Sequence, residues 1–480
     1  MNFNYTALKP SFGGQGGHLK LSFFIFISAI LFFSCKKESF ITSQNASLST
    51  SADTLSFDTV FTTTGSITQS FKIFNNNNQK LLLSQIKLSG GATSPFKINV
   101  DGTSATQVND IEINANDSIY VFVQVNVNPS GVTIPFILND SIQIAYNGNK
   151  KFVQLQAYGQ NAIFLKKIML KGNVTWSNTL PYVILGGIQI DTTATLNISA
   201  GTKIYLHTDA LFLVDGTLIT HGTRDKPVIF SVDRLDADYK DLPGGWPGIY
   251  FRSTSKNNFL KHTIIKNAYQ GIIARDLSTT SNPKLTLSQC IIDNIYDAGI
   301  LGINTNIDAD NCLVSNCGSN IQLGLGGDYR FVNCTVASYD NLYISHANAV
   351  LQLSNSISQN GSNITAPLNA LFINCIFWGD GGTVDDEITV DKQGVDPFYA
   401  KFDHVLYKEK NDIANATFTS SLKNIPPMFD SINVFKNIFD FHFNNYPGSP
   451  AVNAGIATPF PYDLDDKLRD AAPDIGCYER

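Results

Sequence analysis

Between Ser231 and Trp246 the chain gathers Asp233, Arg234, Asp236, Asp238, Tyr239, Lys240, Asp241 and Trp246. Four carboxylates, two cations and two large rings on one loop are residue types that hold a sugar. Aromatic faces cover its C–H surface and carboxylates accept its hydroxyls. Carboxylate oxygens also suit calcium, the one cofactor this loop admits. The candidate ligand-binding set is therefore Asp233, Arg234, Asp236, Asp238, Tyr239 and Trp246. The same residues also fit a loop that only packs, with Trp246 on the core and Asp–Arg and Asp–Lys pairs at the surface. Two further acidic groups read as structure: Asp385-Asp386-Glu387 as a solvated turn, and Asp463, Asp465 and Asp466 with Arg469 as a tie for the C-terminal end.

No catalytic residue can be assigned. His207, His221, His262 and His346 are scattered, with no partner that sequence spacing identifies. Arg252, Lys261, Lys266 and Arg275 are basic residues on central coils, each more readily read as a surface cation. This favours a non-catalytic protein, with a polysaccharide lyase or hydrolase as the alternative and a structural or adhesin-like surface protein as a third reading.

Thiols are the other reactive groups. Cys290, Cys312 and Cys334 follow one another at intervals of 22, and Ser356 stands a further 22 on. Each occupies a like setting: Gln289-Cys290-Ile291, Asn311-Cys312-Leu313, Asn333-Cys334-Thr335 and Asn355-Ser356-Ile357. Asn374-Cys375-Ile376 follows, and Lys261-His262-Thr263 precedes. Equivalent residues on adjacent turns of stacked β-chain lie about 4.8 Å apart. Side chains pointing the same way from parallel strands are badly placed for a disulfide, and a straight column makes no tetrahedral metal cage. The expectation is a column of buried, free thiols, with Ser356 in the same column.

The elements that must position these groups follow from the repeat. Self-similarity at one coil length marks a solenoid. Short apolar runs punctuated by Asn and Gly make the coils β rather than helical. Residues 53–160 differ: Ile119, Val121, Val123, Val125 and Val127 alternate strictly with Tyr120, Phe122, Gln124, Asn126 and Asn128, and Ile142, Ile144, Val153, Leu155 and Ala157 continue the pattern. Alternation broken by turn clusters predicts an antiparallel sandwich of about seven strands. The expected fold is all-β: an N-terminal antiparallel β-sandwich over 53–160, then a parallel β-helix with a C-terminal cap over 161–480, its coils under way by about Tyr182; family resemblances imply that the sandwich is Ig-like and the β-helix right-handed.

The sandwich, opening on Asp53-Thr54-Leu55-Ser56-Phe57-Asp58, resembles Ig-like modules of the abnormal-spindle/hydin type. Asp215-Gly216-Thr217-Leu218, with Lys226-Pro227-Val228-Ile229-Phe230, resembles the entry turns of the right-handed parallel β-helix repeat superfamily. The tail, Pro447-Gly448-Ser449-Pro450-Ala451-Val452-Asn453-Ala454-Gly455 through Pro473-Asp474-Ile475-Gly476-Cys477-Tyr478-Glu479, resembles the closing turn of secreted β-helix proteins of the choice-of-anchor type. Asn453 and Cys477 depart from that pattern. The resemblance implies polysaccharide as a partner, held on a strand face or in a groove bounded by loops.

At the start of the chain Lys20 precedes the apolar run Leu21 to Phe33, which is too short to span a bilayer comfortably and reads as a signal segment over 1–34. It ends in Phe33-Ser34-Cys35, which resembles a bacterial lipobox. The resemblance implies cleavage before Cys35 and acylation of that thiol, with the lipid bilayer as a partner and residues 35–52 as a flexible tether. It places the protein on the outer membrane of a Gram-negative bacterium, on either side. A net charge of −6 argues against nucleic acid as a partner.

Overall fold

The computed structural model describes residues 39–62, 65–128, 135–237, 239–359, 362–444 and 448–480. The signal segment, Cys35, Asp238 and Pro447 lie outside the described residues. The fold is all-β; among the described residues the only helical turns are the 3-10 segments Gly91–Thr93 and Val434–Lys436.

The N-terminal part contains two five-stranded sheets. One orders its strands Leu48–Thr50, Gln69–Asn75, Ser118–Val125, Phe96–Val100, Thr103–Ser104; the other Thr54–Phe61, Asn149–Gln160, Phe136–Tyr146, Leu81–Leu88, Gln107–Ile113. Pairing is antiparallel, as where Phe71 faces Val121 and Ile86 faces Ile144. Val121, Val123 and Val125 are fully buried while Tyr120 and Phe122 between them are exposed, as the alternation requires. Leu48–Thr50 falls in the stretch expected to be a tether. Instead it pairs with Ile73–Asn75 as an outer strand, because the neighbouring strand offers it a free edge.

From Ile163 to Lys423 the chain forms one 26-stranded parallel sheet wound into coils. It begins earlier than Tyr182, since Ile163–Leu170 already pairs with Tyr182–Ile190. Inward side chains stack coil upon coil into one apolar core, including the aromatic ladder Phe331–Phe372–Phe402–Phe418.

Strand register locates the thiol column. Ile291 faces Leu313, Leu313 faces Thr335 and Thr335 faces Ile376, so Cys290, Cys312, Cys334 and Cys375 stack in succession. All six described cysteines are free and buried. Each column thiol donates to the carbonyl two residues before it, at 3.2–3.4 Å. Ser356 does not join the column. It opens an antiparallel hairpin, Ser356–Gln359 with Ser362–Thr365, that leaves the coil, so the chain takes 41 residues rather than 22 to return beneath Cys334. His262 is also one place out: Ile264 faces Ile291, which puts Thr263 under Cys290.

His262 belongs to the adjacent corner column with Gln289, Asn311, Asn333 and Asn374, all at φ between 40 and 53°. Asn tolerates this left-handed conformation better than most residues, which explains its recurrence at the bend. The tail was expected to close the last coil. It runs back along this corner column instead: Asn374 donates to the Ile456 carbonyl, Asn333 to Thr458, Arg469 to Asn311, and Gln289 to Asp466. The amides of the corner side chains point outward and need partners, and the tail supplies them.

Candidate functional site

Two recesses on the β-helix bring polar side chains together. The first is a groove of about 320 Å³ on the outward face of three adjacent strands, Thr263–Lys266, Ile291–Asp293 and Leu313–Ser315. Parallel pairing at equal register sets Lys266, Asp293 and Ser315 one above another on its floor. The Ser315 hydroxyl donates to Asp293 Oδ1 at 2.7 Å. Burial pushes the Asp293 carboxyl above its ordinary pKa, against the pull of Ser315 and the Lys266 charge. Asn267, Asn294 and Asn316, all left-handed, line the floor's edge; Asn294 donates to Asn267 at 2.9 Å and to the Asp241 carbonyl at 2.7 Å.

The far wall is an antiparallel hairpin, Phe429–Asn433 with Ile438–Phe443. It turns Phe439 toward the groove, with Phe441 and the tail's Tyr478 buried behind it. His442 fixes the wall to the tail. Its ring stacks on Tyr478 at 3.8 Å, and its nitrogens lie 2.6 Å from Asp440 and 3.0 Å from Asp465. Lys266 was visible in the sequence only as a central-coil cation. Asp293 was missed. The usable signal was spacing: Lys266, Asp293 and Ser315 stand 27 and 22 apart, the local coil lengths.

The second recess, about 330 Å³, is formed by the 231–246 insertion itself. It brings together Asp233, Arg234 and Tyr239 and adds His207, which spacing alone did not pair. Leu206 faces Val232 on the next coil, so the residues that follow, His207 and Asp233, come side by side with Nδ1 2.8 Å from Oδ2. Arg234 donates to Asp236 at 2.9 and 3.1 Å and lies 3.7 Å over the Tyr239 ring. Leu242 and Pro243 add an apolar wall. The loop returns through Gly244, at φ +80°, and Gly245, where a Cβ would sit 2.7 Å from the Val232 side chain. Only glycine allows so close a return.

Trp246, taken from the sequence as a candidate ring for ligand, is not in either recess. It is 1% exposed, donates from its indole N–H to the Lys266 carbonyl at 2.9 Å, and packs in the core. A large apolar ring with one polar edge is most stable where both are satisfied, and the coil interior offers that. Asp236 is taken up by Arg234. Among the described residues no three His, Cys, Asp or Glu side chains converge as a metal site requires.

The Asp385-Asp386-Glu387 turn is only partly solvated. Glu387 is fully buried with His346 at 3.0 Å, 41 residues earlier, the same interval that separates Thr335 from Ile376. Beside it, burial raises Glu409 to about 8, while bonds from Asn411 and the Lys410 and Asn411 backbone hold Asp386 near 2.

With this geometry in place, the chain can be set beside known proteins. The family model for right-handed β-helix regions matches residues 171–336. The chain is thus an all-β protein whose main body is a right-handed parallel β-helix. No curated protein matches it. Among solved structures, the catalytic unit of the GH87 α-1,3-glucanase from Streptomyces thermodiastaticus aligns over 74% of this chain and 88% of its own, at 11% identity and a TM-score of 0.18. A family 123 glycoside hydrolase from Clostridium perfringens aligns over 24% of this chain at 9% identity and a TM-score of 0.18, so this chain spans about a quarter (26%) of that enzyme. An ASH/PapD-like domain of human CEP192 aligns over 27% of this chain and 92% of its own, at 11% identity and a TM-score of 0.18.

Proposed function

We propose that this protein is a lipid-anchored, non-catalytic carbohydrate-binding protein of the bacterial cell envelope. The observation that carries the binding is the strand-face groove: a floor of Lys266, Asp293 and Ser315, an edge of asparagines, and an aromatic wall. Such a surface offers donors and acceptors at the coil spacing along one line, which suits an extended polysaccharide more than a compact ligand. Anchoring draws on the Ser34-Cys35 motif, and the N-terminal sheets are read as an Ig-like module.

The test is a glycan array probed with the full chain in detergent. Binding that falls at least tenfold in Lys266→Ala and Asp293→Asn supports the reading; unchanged binding in both sinks it. Metabolic fatty-acid labelling of wild type against Cys35→Ala decides the anchor, and absence of label in wild type removes it. One observation favours the alternative, polysaccharide cleavage: Asp293 is a carboxyl kept protonated more readily than usual inside a groove, as a general acid would be. Release of new reducing ends from an array-positive glycan, lost in Asp293→Asn, would establish cleavage in place of binding alone.

A further inference from the structure

The stretch expected to tether Cys35 is fastened to the N-terminal sheets almost from its start. Phe40 forms a parallel bridge with Lys80, and the Ile41 N–H donates to the Lys80 carbonyl at 2.8 Å. Gln79 donates to Ser39 Oγ at 3.0 Å. Asn147 donates to the carbonyls of Ile41 and Ser43 at 2.9 and 3.0 Å, Asn149 to that of Gln44 at 2.7 Å, and the Ser47 N–H to Asn77 Oδ1 at 2.9 Å. Leu48–Thr50 then joins the sheet edge. These contacts fall at one end of the sheets. Leu81 faces Ile113 and Leu83 faces Tyr146, so the turns at 75–80, 114–117 and 147–149 lie together there. The 3-10 turn Gly91–Thr93 lies at the other end, beyond Leu88, where the Gly90 N–H donates to Asp140 at 3.0 Å. The strand Leu81–Leu88 separates the two ends by roughly 23 Å.

Cys35 stands close to the first of these ends along the chain. Lys36, Lys37 and Glu38 alone come between it and Ser39. Four steps of chain reach at most about 14 Å, too short to bring the other end to the bilayer in its place. We propose that the end formed by Phe40 and the turns at 75–80 and 147–149 is a membrane-facing surface, held against lipid headgroups by this short link. The proposal rests on the acylation of Cys35 put forward above and adds which surface meets the bilayer. The residue types there suit the headgroup layer. Phe40, 37% exposed, offers an apolar ring, and exposed Lys150 offers a cation to anionic lipid. Exposed Asn76, Asn78 and Gln79 offer amides to phosphate and ester oxygens.

The test uses the full acylated chain in vesicles of phosphatidylethanolamine and phosphatidylglycerol that carry a headgroup nitroxide. The six described cysteines are buried and acylation blocks Cys35, so a thiol-reactive fluorophore attaches only at an introduced residue. Asn78→Cys and Lys150→Cys place it at the proposed surface, and Ala92→Cys at the other end. The expected result is quenching at positions 78 and 150 at least threefold stronger than at 92. It falls to the level at 92 when about fifteen Gly and Ser residues are inserted after Glu38. Equal quenching at all three positions, with the protein still sedimenting with the vesicles, would overturn the surface and leave the anchor standing. A contrast unchanged by the insertion would overturn the short link as its cause. A chain that does not sediment with vesicles would remove the anchor, and the proposal with it.

Discussion

The insertion at 231–246 and the tail at 463–479 look alike in sequence: irregular stretches in which aspartates surround an arginine. Their saturation differs. In the tail, Asp463 accepts from the backbone N–H groups of Asp465, Lys467 and Glu479, at 2.7–2.8 Å. Arg469 donates to Asn311, Glu479 and the carbonyls of Asp474 and Gly476. All five N–H donors of Arg469 are thus committed. In the insertion, Arg234 donates only two hydrogen bonds, both to Asp236, and Asp233 Oδ1 is buried with no partner among the described residues. Residue type therefore does not separate a structural clasp from a site. The count of unmet hydrogen bonds does.

The largest effect should come from breaking the saturated side. Arg469 and Glu479 are 4% and 3% exposed, so Arg469→Ala strands a buried carboxylate and unties the tail from Asn311. The expected loss is about 3–5 kcal/mol, read as a fall in the urea midpoint. A change below about 1 kcal/mol would mean that the tail does not clamp the corner column, and the contrast between the two regions would collapse.

Trp246→Ala should follow at about 3 kcal/mol, the low end for a deleted core aromatic, since the insertion can settle into part of the space. An unchanged melting temperature would put Trp246 back among ligand candidates.

How much of this could be read in advance follows the coil length. Alternation at Ile119–Val127 gave strands, and 22-residue spacing gave the solenoid and the thiol column, since both are local or strictly periodic. Ser356 failed because periodicity cannot register a hairpin that leaves the coil after Asn355. His207–Asp233 and His346–Glu387 were hidden for the same reason: their separations of 26 and 41 are set by insertions that change individual coil lengths. Trp246 was ambiguous because burial is decided by where Lys266 and Ala268 of a later coil come to lie. Asp293 was hidden by the same variation in coil length: it lies 27 residues after Lys266, whereas the 22-residue period of the thiols points to Ser288.

A smaller effect should appear with pH. Burial raises the Glu409 carboxyl from its ordinary 4.5 to about 8, with hydrogen bonding to Asp386 and the charges of Asp386 and Glu387 adding to it. The folded state then holds a proton that the unfolded chain releases near 4.5. This contribution to stability is complete below about pH 4.5 and is lost as pH rises through about 8. Asp386, held near 2, works in the opposite sense and only below its ordinary 3.8, so it is constant in this window. Denaturant midpoints measured from pH 5 to 9 should fall more steeply in wild type than in Glu409→Gln. Parallel profiles would show that Glu409 is ionised in the fold.

The smallest effect is expected where saturation is incomplete. Asp233→Ala removes one bond to His207, which is 44% exposed and can turn to water, and it also removes the uncompensated oxygen. The lost pair is of the partly exposed kind, worth about 0–1 kcal/mol, and the relief of a buried bare acceptor offsets it. Burial raises the Asp233 pKa, so any residual contribution of its ionised form shrinks further as the medium becomes acidic. The expected change in urea midpoint is thus below about 1 kcal/mol in sugar-free buffer, against several for Arg469→Ala. A loss of about 3 kcal/mol would mean that Asp233 is as saturated as Asp463, completed by ordered water, and that the insertion and the tail are the same kind of clasp.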